Sequence, residues 1–433
     1  MTSVAEVRLW GKTIGAVSLG EGAEVAAFEY DPAFAQSGIE VSPLLMPLSG
    51  RVYSFPELPR KTFHGLPGLL ADSLPDRFGN ALVDAWLATQ GRTPGSFSAL
   101  ERLCYTGTRG MGALEFAPVI GPRARLSSKV HVDRLVELAS DILSRRDELQ
   151  VSFAEEGSAS ALTEILRVGT SAGGARAKAV IAWNPLTREV RSGQVPAGED
   201  FEYWILKFDG VSGNRDRELD DPTGYGAIEY ACYLMAMDCG IEMSACRLLE
   251  ENGRRHFMTR RFDREGNGAK IHMQSLCALA HYDFNLAGAY SYEQALQLIR
   301  RLGLPMASVE QQFRRMVFNL VVRNQDDHVK NIAFLMDRSG NWKLSPAFDV
   351  VYSYNPDGVW TATHQMSVNG KRDGFTMDDL EACARAASMK RGRAATILAE
   401  VIEGVSQWPG YADKAGVPEA VQEKIRRAFR LRF

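Results

Sequence analysis

Residues 311–353 read QQFRRMVFNLVVRNQDDHVKNIAFLMDRSGNWKLSPAFDVVYS. Phe313, Met316, Val317, Leu320 and Val321 recur at spacings of three and four, which predicts a buried helix ending in the polar run Asn324 to Asn331. NIAFLMD then reads as a strand, Arg338 to Asn341 supplies a turn containing Gly340, and WKL returns as a second strand. A hairpin folds its ends together, so Asn331, before the first strand, should come near Asp349, after the second. An amide oxygen beside a carboxylate is the hard-oxygen pair that Mg²⁺ prefers, with phosphate oxygens and water completing the shell. Asp326, five residues before Asn331, is placed to accept a proton from a hydroxyl nucleophile. A D-x(4)-N spacing followed by a later Asp is the order of a protein-kinase catalytic loop and its metal aspartate. Spacing alone leaves Asp327 as a competitor for the base. A motif this short is usually only a polar loop; the helix–loop–hairpin–Asp context gives it weight.

Upstream, Gly169 to Lys178 (GTSAGGARAK) lies between a helix and a strand. Its glycines let backbone N–H groups approach phosphate, and Lys178 adds a positive charge. Ser171, Ala172, Gly173, Gly174, Ala175, Arg176 and Lys178 are therefore candidate nucleotide contacts, although the run matches neither Walker A nor G-x-G-x-x-G. Lys207 ends the apolar strand YWILKF, as expected of a lysine held against phosphates. Glu229 on the following helix could orient it, against the commoner reading of an exposed helix glutamate. HFMTRRF (256–262) is the candidate inter-lobe hinge, with Arg260 and Phe262 on the nucleotide side; Lys330 is a further nucleotide contact, and His328 is expected to orient the catalytic loop.

These residues resemble the signatures of HipA-type serine/threonine kinases. Asp326-Asp327-His328-Val329-Lys330-Asn331 is similar to the family's D-x-H-x-K-N, and Ser345-Pro346-Ala347-Phe348-Asp349 to its (S/T)-P-x-(Y/F)-D. The resemblance extends to Arg261-Phe262-Asp263-Arg264, to LPGLLADSLPDRFG (66–79) and to GTRGMGALEF (107–116), and so covers nearly the whole chain. It implies Asp326, not Asp327, as the base, Asn331 and Asp349 as Mg²⁺ ligands, ATP as phosphate donor, and Ser171 as a regulatory autophosphorylated serine. Counting seven residues back from Lys178 gives the same serine; Thr170 is the neighbouring alternative. Gly173-Gly174 and Ala177 depart from the common family loop. A phosphate on Ser171 would put about two negative charges into the loop meant for ATP phosphates and switch the enzyme off. The resemblance further implies a bacterial growth-arresting toxin paired with a small helix-turn-helix (HipB-like) antitoxin, an aminoacyl-tRNA synthetase as the class of protein substrate, and DNA contact mainly through the antitoxin.

The rest of the sequence fits that plan. The 433 residues predict two or three packed units: a β-rich front (1–120), a nucleotide lobe (121–262) and a helical catalytic lobe (263–433), an α+β, bilobal kinase-like arrangement. With 45% hydrophobic and 24% charged residues, disordered and fibrous classes are excluded. Fifty basic against 53 acidic residues, a net charge of −3, argue against a surface given over to nucleic acid. Six cysteines without C-x-x-C spacing, and no apolar run long enough for a membrane, predict a cytoplasmic protein with reduced thiols. VRLWGKTIGAVSL predicts a hairpin, VSPLLMPLS (41–49) an extended segment, 68–90 a helix, Ser96 or Ser98 a cap, and Asp72, Asp76 and Arg77 caps and salt bridges. Two rivals share some of these features: an aminoglycoside-type small-molecule phosphotransferase and a non-catalytic co-repressor that docks an antitoxin.

Overall fold

A turn that suits left-handed residues opens the chain. The computed structural model describes residues 3–121, 127, 129–144, 165–166, 168–169, 176–211, 215–216, 219–220 and 223–433. Val4–Leu9 (β1) and Lys12–Ser18 (β2) pair antiparallel about Trp10 and Gly11, both at positive φ (51° and 79°), the geometry that matches strand twist in a two-residue hairpin. Ala27–Tyr30 (β3) and Leu114–Ala117 (β4) complete a four-stranded sheet in the order β3-β2-β1-β4. The segment 41–49 does not extend as expected: it bends and turns, with the Met46 N–H donating to the Ser42 carbonyl. Pro43 and Pro47 withhold two backbone donors that a ladder would need.

The expected helix over 68–90 is broken. After Arg60–Phe63 (α1), Gly68–Ala71 (α2) stops at Asp72, and a new helix, Arg77–Thr89 (α3), starts after Pro75 with Asp76 as its N-cap. Proline cannot donate into the preceding turn, and the residue before it is pushed out of helical geometry. Ser98, not Ser96, caps Ala99–Thr106 (α4) in a capping box with Glu101.

The second sheet holds Lys178–Trp183 (β5), Val190–Ser192 (β6), Glu202–Lys207 (β7), Cys246–Glu251 and Arg254–Arg260. A small pair, Arg215–Asp216 (β8) and Leu219–Asp220 (β9), lies outside it, so the last two strands of the sheet are β10 and β11. Its order is β10-β11-β7-β5-β6, antiparallel throughout. Val132–Ser144 (α5) packs Leu135, Val136, Ala139 and Ile142 into one apolar core with Phe78 and Leu82 of α3 and Ile181 and Leu206 of the sheet. Helix α3 of the front segment thus shares a core with the second sheet.

Tyr225–Asp238 (α6) follows, and Gly240 (φ 75°) stands just beyond its end, as read from sequence. Three strands, His272–Ser275 (β12), Ala333–Met336 (β13) and Trp342–Leu344 (β14), form the third sheet; β12 is a partner the hairpin reading lacked. Leu276–Ala280 (α7), Tyr292–Arg301 (α8) and Met306–Val322 (α9) lead to the polar loop 324–331, and α9 buries all five residues of the predicted face. Four helices close the chain: Met377–Ala386 (α10), Arg393–Ser406 (α11), Trp408–Ala415 (α12) and Glu419–Ala428 (α13). On α13, Arg426 and Arg427 both pair with Glu423, as a solvated helix face does. The front sheet and these helices share the largest apolar core. All six cysteines are buried free thiols. Among the described residues no helix is long and apolar enough to cross a membrane.

One buried ion cluster clamps the front to the body. The Asp263 carboxylate accepts from Arg261 (2.9 and 2.7 Å), from Arg264 (2.7 Å) and from the Gly112 N–H (2.7 Å). Two of the family-like motifs, 107–116 and 261–264, are therefore in direct contact.

Candidate active site

The α9 helix ends where Arg323 turns left-handed (φ 56°), and the chain then runs across the face of the body as the loop Asn324–Asn331. The side-chain amide of Asn331 donates to the Asp326 carbonyl (3.0 Å), which turns the amide oxygen the other way. After β14, Asp349 also sits at positive φ (52°), a conformation that Asp tolerates better than most residues. Its backbone carbonyl accepts from the Asn324 side-chain amide (3.2 Å), tying Asp349 to the start of the polar loop, and Asn331 and Asp349 line the same cavity.

Lys207 and Asp349, 142 residues apart in sequence, meet at 2.5 Å, and Glu229 on α6 holds the same ammonium at 2.6 Å. Glu229 is buried, so the exposed-glutamate reading fails. Burial alone would lower the Lys207 pKa; the Asp349 and Glu229 carboxylates outweigh it and hold the ammonium above the ordinary lysine range. Burial likewise pushes Asp349 up, but Lys207 first and Lys178 next pull it down to about 2. Lys178, at the start of β5, lies opposite Lys207 in the ladder and is itself buried, 3.7 Å from Asp76.

The two adjacent aspartates have different surroundings. Asp327 is buried and accepts from the Tyr292 hydroxyl (2.7 Å) and the Gln365 N–H (2.8 Å), with His364 Nδ1 at 2.9 Å. Burial opposes its charge, but His364 and the hydroxyl and amide donors keep its pKa below the usual carboxylate range. Asp326 stays partly exposed at the cavity; Trp360 Nε1 donates to its Oδ1 (2.6 Å), and His328 Nε2 stands 4.0 Å from its Oδ2. A base must reach solvent or substrate, and only Asp326 of the two does. His328 packs against Phe284 (5.5 Å), and Lys330 lies over the same ring (5.2 Å).

One cavity of about 350 Å³ gathers Lys178, Lys207, Glu229, Asp326, Asn331 and Asp349. Arg176, His328 and Lys330 also line it, and Arg176 stacks on Tyr225 at 3.5 Å. Arg260 and Phe262 are not among its lining residues: Arg260 pairs with Glu202 (3.5 Å), and Phe262 packs on Phe348 (5.6 Å), next to Asp349. Thr170, Ser171, Ala172, Gly173, Gly174 and Ala175 lie outside the described residues. Sequence reading missed Trp360, which has no motif around it, and saw Asp72 and Asp76 only as caps and salt-bridge residues, although both line the cavity. The donors fit the expected groups: an amide oxygen and a carboxylate suit Mg²⁺, and two lysines on facing strands suit a polyphosphate.

Fold and site together define a two-lobed, kinase-like molecule. The chain belongs to the HipA family: the profile described as HipA-like C-terminal domain matches residues 170–408, and that described as HipA N-terminal domain matches residues 5–117. The curated protein "Putative kinase Y4mE" of Sinorhizobium fredii is 28% identical over 137 residues, 29% of this chain and 32% of that protein, so the match spans about a third of that relative's length. Among solved structures, a chain of the Shewanella oneidensis MR-1 HipA, HipB and operator DNA complex superposes with a TM-score of 0.62 over 98% of this chain and 94% of its own, at 15% identity. That likeness is one of fold.

Proposed function

We propose that the protein is an ATP-dependent serine/threonine protein kinase that acts as a bacterial growth-arresting toxin. The observation that carries this reading is the convergence of Asp326, Asn331, Asp349 and Lys207 on one cavity, with Asp326 partly exposed and Lys207 held between two carboxylates. Asp326 takes the proton of the attacking hydroxyl as its oxygen bonds to the γ-phosphorus and the bond from that phosphorus to the β,γ-bridging oxygen breaks, releasing ADP. Asn331 and Asp349 would hold Mg²⁺, which when bound neutralises charge on the phosphate oxygens. Lys207, Lys178, Arg176 and Lys330, with the loop around Ser171, hold the ATP phosphates. His328 and Trp360 keep the Asp326 carboxylate turned to the substrate. In this reading residues 1–120 form the front subdomain, 121–262 the nucleotide lobe and 263–433 the catalytic lobe.

The fold shared with a HipA solved beside HipB and operator DNA, together with the family, supports a small helix-turn-helix antitoxin as partner, with DNA reached mainly through it. The family resemblance supports a cytoplasmic location and an aminoacyl-tRNA synthetase as the class of protein substrate. Ser171, or Thr170 beside it, is the proposed autophosphorylation site. Growth arrest on expression of wild type, absent with Asp326→Ala, is expected; equal arrest by both would rule out the kinase-toxin reading, and arrest by neither would remove the toxin role. Intact mass after incubation with Mg-ATP should show one added phosphate, lost in Ser171→Ala.

A further inference from the structure

Lys178 and Lys207 face each other directly in the β5–β7 ladder, and both reach the cavity. Like charges opposite one another on adjacent strands repel, and here the sites are largely buried, where screening is weak. Lys207 is balanced by Glu229 and Asp349. Lys178 has a carboxylate from the front segment: Asp76 Oδ2, 3.7 Å from its ammonium, with both side chains almost wholly buried. The other oxygen of Asp76 is already engaged, since Oδ1 accepts from the Gly79 N–H (2.6 Å) and caps α3. The cap pins the carboxylate to a helix whose Phe78 and Leu82 are locked in the core of the nucleotide lobe.

We infer that Asp76 is a positioning residue for phosphate binding: one oxygen anchors it to α3, and the other holds the Lys178 ammonium in place at the cavity. The nucleotide site thus has two lysine–carboxylate pairs, Lys207 with Glu229 from its own lobe and Lys178 with Asp76 from the front segment. The inference rests on the kinase reading and extends it, because it makes the front segment part of the nucleotide site. Without the carboxylate, repulsion from the facing Lys207 would push the Lys178 ammonium out of its place at the cavity.

The two jobs of Asp76 separate cleanly by substitution. Asparagine keeps a good cap acceptor but removes the charge. The experiment measures Mg-ATP binding by calorimetry, with a thermal melt, for the full chain of wild type, Lys207→Ala, Asp76→Asn and Asp76→Ala. Asp76→Asn is expected to bind ATP about tenfold more weakly and, because it keeps the cap acceptor, to melt below wild type but clearly above Asp76→Ala. Asp76→Ala should lose both affinity and melting temperature. If wild type binds, Lys207→Ala does not, and Asp76→Asn binds as tightly as wild type or tighter, Asp76 is only a helix cap and the inference falls while the kinase reading stands. If wild type itself fails to bind Mg-ATP, the kinase reading falls with it. A melt of Asp76→Asn as low as that of Asp76→Ala, with affinity lost in both, would also overturn the assignment, because the loss would then follow structure and not charge.

Discussion

Asp326 and Asp327 are neighbours in sequence and should respond in opposite ways to the same substitution. Alanine at 327 strips the acceptor from the Tyr292 hydroxyl, the Gln365 N–H and the His364 ring, all in a buried site. Each orphaned buried donor costs about 1–3 kcal/mol, so with partial relaxation the total is about 4 kcal/mol, a large share of a typical folding stability. Alanine at 326 frees only the half-buried Trp360 indole among these contacts, which can turn to water, and should cost less than about 1 kcal/mol. The sign of the acid dependence follows from the lowered pKa of Asp327. Its stabilisation is fully present above the ordinary carboxylate value and is lost as pH falls through the lower folded-state value. At neutral pH the whole difference is therefore measurable. Urea melts followed by circular dichroism, beside phosphotransfer on the folded protein, read both effects. Asp327→Ala should shift the urea midpoint sharply downward, whereas Asp326→Ala should melt with wild type and transfer no phosphate. Equal destabilisation by the two substitutions, or a fully stable Asp327→Ala, would refute the division of labour.

Three further outcomes follow from particular contacts. Burial holds His272 near a pKa of about 4, so between the ordinary histidine value and pH 4 the unfolded chain binds a proton that the folded one refuses. The share of stability due to His272 should drop by up to roughly 3 kcal/mol across that window, and His272→Leu should make the pH profile of the urea midpoint shallower there, with the burial-lowered His256 and His281 supplying the rest of the slope. Asp263→Asn leaves the Arg261 and Arg264 guanidiniums short of a negative charge in a buried site, at a cost of about 3–5 kcal/mol; the melting temperature should fall, and limited proteolysis should release the front segment. Trp360→Phe removes the indole donor to Asp326 and should slow phosphotransfer about two- to tenfold without changing the melt.

The legible parts of this molecule were those in which local pattern and tertiary need agree. The α9 face and the hairpin that follows it are periodic in sequence because one side of each must be buried, and all five predicted apolar residues of α9 are inside. Gly240 and the β1–β2 turn were readable because backbone conformation there restricts the residue type. By contrast, VSPLLMPLS has the composition of a strand, and only its prolines hinted that no ladder forms. The burial of Glu229 could not be read from spacing, since α6 is apolar nearly all round and an acidic residue on it has no polar face to mark it as exposed. Trp360 reaches Asp326 across 34 residues, and Asp76 reaches Lys178 from the far side of another segment; such contacts exist only after folding. The same holds for the choice between Asp326 and Asp327, which spacing left open and which their surroundings distinguish.

Phosphoryl transfer with Asp326 as base is tested most directly by transfer of labelled γ-phosphate from Mg-ATP to protein. The wild-type chain is incubated with a bacterial lysate and, separately, with aminoglycosides, beside an Asp326→Ala chain shown to melt identically. Label on protein with wild type, none on the antibiotics, and none at all with Asp326→Ala is the predicted result. Label on protein with both chains, or none with either, would contradict it.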